Sequence, residues 1–512
     1  MARRFDAIII GSGLGGLIAG ALYARSGRRV LVLERNETFG GAAAVYKHGA
    51  LAIEATLHEM DGLDQDDPKL PALQSLGLDR DLEFVDVGDL YEVRGPLIDP
   101  PFVLPHGLDA ALSAAVARFP HQAPALREYF ERMSVARAAL SFAARHQDDS
   151  GRWWLSHAPE AVRRLWPLIR EGRATVSEVF DELFGADEAV KLALGANLGY
   201  WHDTPDQMLF LRYAVAQASF LIGGGHYVRG GSVALSNRLV ALIREADGVV
   251  ENGREADTLL LDGRHIAGVG HHVRDGTDPQ TDFAPVVFGN AAPHRLAEML
   301  PDASREAFLA PYAGRRVSIS LWTIAIGLSR PPREFGVERY STFILPAWMK
   351  TFGEIQEAAA VMGDDAGTRL PGYVFVDFDR IDSGLNQEGP FLGSFTGVDR
   401  LENWTGLSQD QKIARKERWM DRIISDLDKA FPGIASAVVQ REMATAETMQ
   451  HYLNTPGGAV YGFAPESIGF TPKTAIEGLW LASAFCGSGG FTGAMLGGAA
   501  AARAAIKETS SH

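Results

Sequence analysis

The chain has 512 residues, 46% of them hydrophobic and 22% charged, and carries a formal net charge of −15. That length asks for two or three lobes rather than one simple core, with the composition of an ordinary globular protein. The negative charge and the absence of a long Lys/Arg cluster exclude nucleic acid as a partner. The single cysteine, Cys486, excludes an internal disulfide framework and a Cys-cluster metal site, and fits the reducing cytoplasm.

In chain order, residues 5–10 form a short apolar run expected as a strand buried on both faces. Asp6 interrupts the stretch that opens at Met1-Ala2 and glycines follow at once, so an export signal is not expected. Residues 16–26, rich in Ala and Leu, read as a helix stopped by Gly27, and residues 30–33 as a second strand. Residues 107–220 read as mostly helical, with apolar residues at helical spacing in 125–133. A Gly-rich loop at 223–231 leads into a predicted helix over 232–245. Strands are expected at 257–261 and 265–269, joined by Asp262-Gly263, and again at 286–288. Beyond 315 come β-like runs at 317–327, 373–378 and 391–395, then a charged helix over 408–431. The chain closes with a strand at 479–483, a glycine turn at 487–493 and an Ala-rich helix. No window reaches about 18 uncharged apolar residues, so no transmembrane helix is expected, although peripheral membrane contact stays compatible.

The strongest motif is Gly11-Ser-Gly13-Leu14-Gly15-Gly16, directly after the first strand. Gly11 suits a tight turn, Gly13 lets a pyrophosphate approach the backbone, and Gly16 lets the helix pack close to the sheet. The helix N-terminus then faces the phosphates with free N–H groups. Glu34, at the end of the second strand, can accept adenosine ribose hydroxyls. A second glycine pair, Gly40-Gly41, lets another stretch of backbone pass close to a longer cofactor. The C-terminal strand, glycine turn and helix can supply a second helix N-terminus for an anionic flavin ring. Together these favour FAD over NAD.

Several patches resemble one family, the phytoene desaturase, carotenoid isomerase and retinol saturase group of the amine-oxidase-like flavoproteins. They are residues 8–41, residues 53–62 around His58, residues 223–235, the stretch from Ala256 to Leu259, residues 288–293 and residues 478–498. Ser483-Ala484, Ala256, Arg229 and Leu57 depart from its usual glycine, valine, proline and glycine. The resemblance implies an α/β fold: a Rossmann-type FAD-binding domain, a discontinuous α+β substrate domain and a helical cap. The nucleotide-type signals sit at both ends and in the middle. The FAD-binding domain is therefore expected from 1–70, 216–300 and 441–512. The substrate domain is expected from 71–215, mainly helical, and 301–440, sheet and helix. The implied cofactor residues are Gly11, Gly13, Leu14, Gly15, Gly16, Glu34, Arg35, Gly40, Gly41 and Ala42 near the N-terminus. Ala256 follows, and then Ser483, Ala484, Thr492, Gly493, Ala494 and Met495.

His58, His226 and Tyr227 are the polar groups near the implied flavin site that could move a proton. A packed core histidine and a tyrosine ring in a cavity wall are the competing structural readings. Cys486 reads as a small buried residue rather than a flavin attachment point, and no metal site is expected. His271-His272 reads as solvated, residues 61–67 as an exposed acidic loop, and Trp322 and residues 348–350 as candidates to line an apolar tunnel. The expected function is FAD-dependent desaturation, saturation or isomerisation of a long apolar lipid, whether carotenoid, other isoprenoid or fatty-acyl chain. The electron acceptor, quinone or oxygen, stays open. The alternatives are an amine oxidase and a non-catalytic FAD-containing lipid carrier.

Overall fold

The isoleucine-rich run after Asp6 forms β1 (Ala7–Ile10), whose residues are all buried. Each isoleucine so enclosed contributes roughly 1.5–3 kcal/mol of hydrophobic stabilisation. The chain then turns into α1 (Leu14–Arg25) and returns as β2 (Val30–Leu33). Five parallel strands make this sheet, in the order Val249–Glu251, β2, β1, Val287–Gly289, Leu479–Leu481. The strands come from the start, middle and end of the chain, because each parallel step needs a crossover. This computed structural model describes residues 3–146, 149–364, 369–466, 471–487 and 489–510. Met1 and Ala2 of the N-terminal stretch, and Ser488 of the last glycine turn, lie outside the described residues.

The C-terminal helix Gly490–Thr509 lies along α1. The contact is close because Gly15 and Gly498 meet there. A Cβ on Gly498 would run into the Gly15 carbonyl, and one on Gly15 into the Ala482 carbonyl.

A second sheet has seven strands, in the order Val438–Ala444, Ser320–Leu328, Phe391–Asp399, Tyr373–Asp377, Ser341–Ile344, Tyr91–Gly95, Ile98–Leu104. All neighbours are antiparallel except Ser341–Ile344 with Tyr91–Gly95. Two of its strands thus come from residues 91–104, ahead of the helices that fill the stretch from Leu108 to Gly223. The charged helix forms as Gln409–Ala430, with Ser408 and Gln411 in a capping box. It covers one face of this sheet by packing Trp419, Ile423 and Leu427 against Trp322, Phe375 and Phe395. Strand alternation puts Leu321 and Thr323 on the opposite face, over a cavity. Trp322 is therefore core rather than tunnel lining. Trp348 is not lining either: its indole N–H donates to the Leu370 carbonyl at 2.7 Å, and only its neighbour Met349 reaches the cavity.

Two further expectations are corrected. His271 is not solvated: it is buried on strand His265–Val273, 3.0 Å from an Asp282 carboxylate oxygen, with Arg254 Nε donating to its Nδ1 at 3.1 Å. The acidic stretch after Asp61 is not a free loop, since Asp67 is buried against Lys69 at 2.6 Å and Asp64 accepts from Arg137. In each case an oppositely charged or hydrogen-bonding side chain satisfies the buried group.

Candidate active site

A cavity of about 1120 Å³ joins the glycine turn after β1 to the inner face of the seven-stranded sheet. Gly11, Gly13 and Leu14 line its nucleotide-like end. There α1 begins with no side chain capping its N-terminus, so its first N–H groups and the positive end of its dipole are available to an anion. Gly15 and Gly16 lie one layer behind. A Cβ on Gly16 would come within 3.0 Å of Ile9 Cγ2, so this glycine sets the distance between helix and sheet. Asn290, on the wall, ties the turns together once its amide is oriented with its oxygen accepting from Gly13 N–H (2.7 Å) and its nitrogen donating to the Ala482 carbonyl (2.9 Å).

Glu34 is buried at the end of β2. Its Oε2 accepts from the Ser12 N–H at 2.8 Å and the Ser12 hydroxyl at 2.6 Å, and its Oε1 from the Asn36 N–H at 2.8 Å. Arg35 and Ala256 stand beside it on the cavity wall, Arg35 anchored by donation to the His451 carbonyl at 2.6 Å. Gly40 pairs with Gly13 through an isolated bridge. Gly41, at φ +60°, passes so close that a Cβ would sit 3.3 Å from Gly13 Cα. Gly40, Gly41 and Ala42 all line the cavity, so two backbone turns form a cradle that side chains would fill.

Ser483 and Ala484 line the middle of the cavity, with the Ser483 hydroxyl donating to the Ala291 carbonyl at 3.3 Å. The C-terminal helix starts there, also without a side-chain cap. Its first turns present Thr492 and Ala494 to the cavity, while Gly493 and Met495 turn into the core. The Thr492 hydroxyl donates to an Asp61 carboxylate oxygen at 2.5 Å. Two uncapped helix ends, a backbone cradle and a buried acid between them fit a dinucleotide.

Of the three candidate proton carriers, only His58 lies on the wall. Its Nε2 is 2.9 Å from the Thr396 hydroxyl, its carbonyl accepts from the Tyr340 hydroxyl at 2.5 Å, and its ring meets the edge of Tyr200. Burial lowers its pKa to about 4, so it is neutral at physiological pH. Tyr227 is fully buried on strand Gly225–Val228 and donates to Glu54 at 2.8 Å. Glu54 also accepts from the backbone and hydroxyl of Ser232, which starts the next helix. His226 lies on the same short strand, paired with Met60 and Asp86, rather than in an open loop. Neither His226 nor Tyr227 lines the cavity.

The residue that sequence reasoning passed over is Glu59. It lines the cavity beside His58, and its Oε2 is buried. Burial, reinforced by Asp61 and opposed by a hydrogen bond with the Tyr200 hydroxyl, pushes the Glu59 pKa up to about 8. The signal available was a carboxyl directly between the candidate His58 and the apolar Met60. Cys486 also lines the cavity; burial raises its thiol pKa to about 12, which leaves it a poor nucleophile. Beyond these groups the wall is largely apolar, with Leu211, Val215, Phe220, Phe343, Leu345 and Met349.

Residues 9–70 match the model of the NAD(P)-binding Rossmann-like domain. The chain is 23% identical to the all-trans-retinol 13,14-reductase of Rattus norvegicus, over 90% of this chain and 77% of that one. It is 25% identical to prolycopene isomerase 1 of an Oncidium hybrid cultivar, over 95% and 81%. It is 24% identical to the phytoene dehydrogenase of Streptomyces griseus, over 92% and 88%. Among solved structures, cyclohexylamine oxidase from Brevibacterium oxydans superposes with a TM-score of 0.60 at 16% identity, covering 99% of this chain and 100% of that one. Along most of its length the chain is thus similar to a retinol 13,14-reductase, a prolycopene isomerase and a phytoene dehydrogenase, and it shares the fold of cyclohexylamine oxidase.

Proposed function

We propose that this protein is an FAD-dependent oxidoreductase acting on C–C or C=C bonds of a long apolar molecule, with a polyene of the carotenoid or retinoid type as its substrate class. The observation that carries the reading is one cavity that joins a dinucleotide cradle to a long apolar wall, with His58 and Glu59 on it. The names of three relatives, a reductase, an isomerase and a dehydrogenase, all refer to polyenes, which supports the same class. Likeness to amine oxidases concerns the fold alone.

In this reading Glu34 and Ala256 would hold the adenosine end, the N-terminus of α1 the pyrophosphate, and Gly40, Gly41, Ala42, Thr492 and Ala494 the flavin end. When bound, the flavin supplies hydride exchange with carbon. The chain's own residues supply shape and protons. The apolar wall aligns the substrate and excludes water. Glu59 holds a proton at neutral pH and can deliver it to a substrate carbon, while neutral His58, fixed by Thr396, orients the wall beside it. An acid poised in this way suits saturation or isomerisation better than desaturation.

The test is anaerobic incubation of reduced protein with detergent-dispersed all-trans-retinol or a coloured carotenoid, beside a panel of primary amines. A shift of the polyene absorption, absent in a boiled control, supports the reading. Peroxide release with amines in air, and unchanged polyenes, overturns it.

A further inference from the structure

The helices Gly151–Ser156 and Ala158–Arg170 expose apolar side chains that the core does not use. Leu155 is 79% exposed, Val162 62%, Trp166 56% and Ile169 67%. On the second helix Val162, Trp166 and Ile169 recur at the spacing i, i+4, i+7, so they form one outward stripe. A core residue of the same helix, Ala161, lies to one side of the stripe and is buried. Beside the stripe stand arginines: Arg152, Arg163, Arg170 and Arg173 are exposed. Residues 151–173 hold five arginines against two glutamates, in a chain whose net charge is −15. An apolar stripe bordered by arginine is the composition of a helix lying in a lipid interface.

The position of this pair adds a reason. It packs on helix Ala123–Arg145, where Phe142 meets Trp153 and Trp154 and takes Arg164 over its ring at 5.4 Å. The same turns of that helix line the cavity through Ser141, Ala144 and Arg145. Leu140, 42% exposed, belongs to both the surface and the cavity wall. The apolar stripe therefore sits on helices packed against the one that forms this edge of the cavity, where Leu140 and Ala144 stand beside Ser141 and Arg145.

We infer that the helices Gly151–Ser156 and Ala158–Arg170 seat the protein on an anionic lipid surface, apolar stripe among the acyl chains and arginines at the headgroups, with the cavity opening onto that surface. No helix among the described residues is long and apolar enough to span a membrane, so the seating is in one leaflet. The inference rests on the polyene reading for what enters the cavity, not for the docking itself.

The test is flotation of the full-length protein, as purified with its cofactor, on vesicles of phosphatidylcholine alone and of phosphatidylcholine with phosphatidylglycerol. Binding to the mixed vesicles is expected, weakening as salt rises. The double substitution Trp166→Glu, Ile169→Glu is expected to reduce it at least about tenfold. Arg152→Glu with Arg163→Glu should reduce binding to the mixed vesicles while leaving the apolar stripe intact. Both variants change exposed residues, and an unaltered melting transition checks that they fold. Equal binding by wild type and variants overturns the inference, as does no binding by the wild type. So does a concentration-dependent dimer that the Trp166→Glu, Ile169→Glu variant loses, since the stripe would then be covered by a second copy. Flavin content measured on the same samples separates the two claims: lipid binding without flavin would keep the docking and remove the oxidoreductase.

Discussion

Burial acts in opposite directions on His58 and Glu59, adjacent groups on one cavity wall. It lowers the histidine to about 4 and raises the glutamic acid to about 8. The ionisable neighbours are Tyr200, whose hydrogen bond opposes the rise, Asp61, which adds to it, and the neutral phenol of Tyr340. Glu59 binds its proton more tightly folded than unfolded, so its contribution to stability is complete below the ordinary glutamate pKa and is lost as pH rises towards 8. The loss is on the order of a few kcal/mol, discounted because Glu59 is only partly enclosed. Thermal melts of Glu59→Gln between pH 5 and 8 should therefore slope less with pH than wild type; an identical slope would remove Glu59 from the account. Turnover of the same variant should fall by about 10²-fold or more while flavin content stays unchanged. His58 contributes the other way, losing stability as pH falls from its ordinary value towards 4, so His58→Gln should flatten the acid side of the same curve. Tyr227→Phe tests a role away from the cavity. It removes one of the donors to Glu54 and should cost about 1–3 kcal/mol in chemical denaturation, with turnover nearly unchanged. Tyr227 and His226 looked alike in the sequence because a glycine-rich stretch gives no sign of which neighbours its side chains meet.

Among the elements, those with a local pattern were legible. The run into Gly11-Ser-Gly13, the helix after it and the strand ending at Glu34 follow from apolar spacing and glycine placement alone, and so does the helix Ser232–Glu245. The strands Tyr91–Gly95 and Ile98–Leu104 were not legible. The second carries Asp99, Pro100 and Pro101 and is an edge strand paired only with the first, which in turn owes its place to pairing with a strand near residue 342. His271 was misread for the same reason, since its partner Asp282 lies on the neighbouring strand, His265–Val273 being paired with Gln280–Phe283. Two substitutions test the packing of elements. Gly498→Val should push α1 and the C-terminal helix apart, cost roughly 1–3 kcal/mol in denaturant unfolding and lower flavin content, because the two helix N-termini flank the cradle. Trp322→Ala should cost about 3–5 kcal/mol through the cavity it leaves under helix Gln409–Ala430, with flavin content retained in the folded fraction.

At the scale of the whole molecule, three separated stretches of chain supply the parallel sheet, and the seven-stranded sheet faces it across the cavity. The fold was readable because a dinucleotide cradle needs glycines at fixed places, and those glycines sit near both ends of the chain. The apolar wall was not readable residue by residue, since the same leucines and phenylalanines serve cores and tunnels alike. What unites the cradle, the acid at Glu59 and the apolar wall is the claim that this chain carries FAD against a long apolar substrate. The most direct measurement is to denature protein purified from its native host and identify every released small molecule by mass spectrometry. The account predicts FAD near one equivalent, accompanied by a polyene or another long apolar lipid. Protein that releases no FAD, under conditions that retain other weakly held flavins, would contradict it.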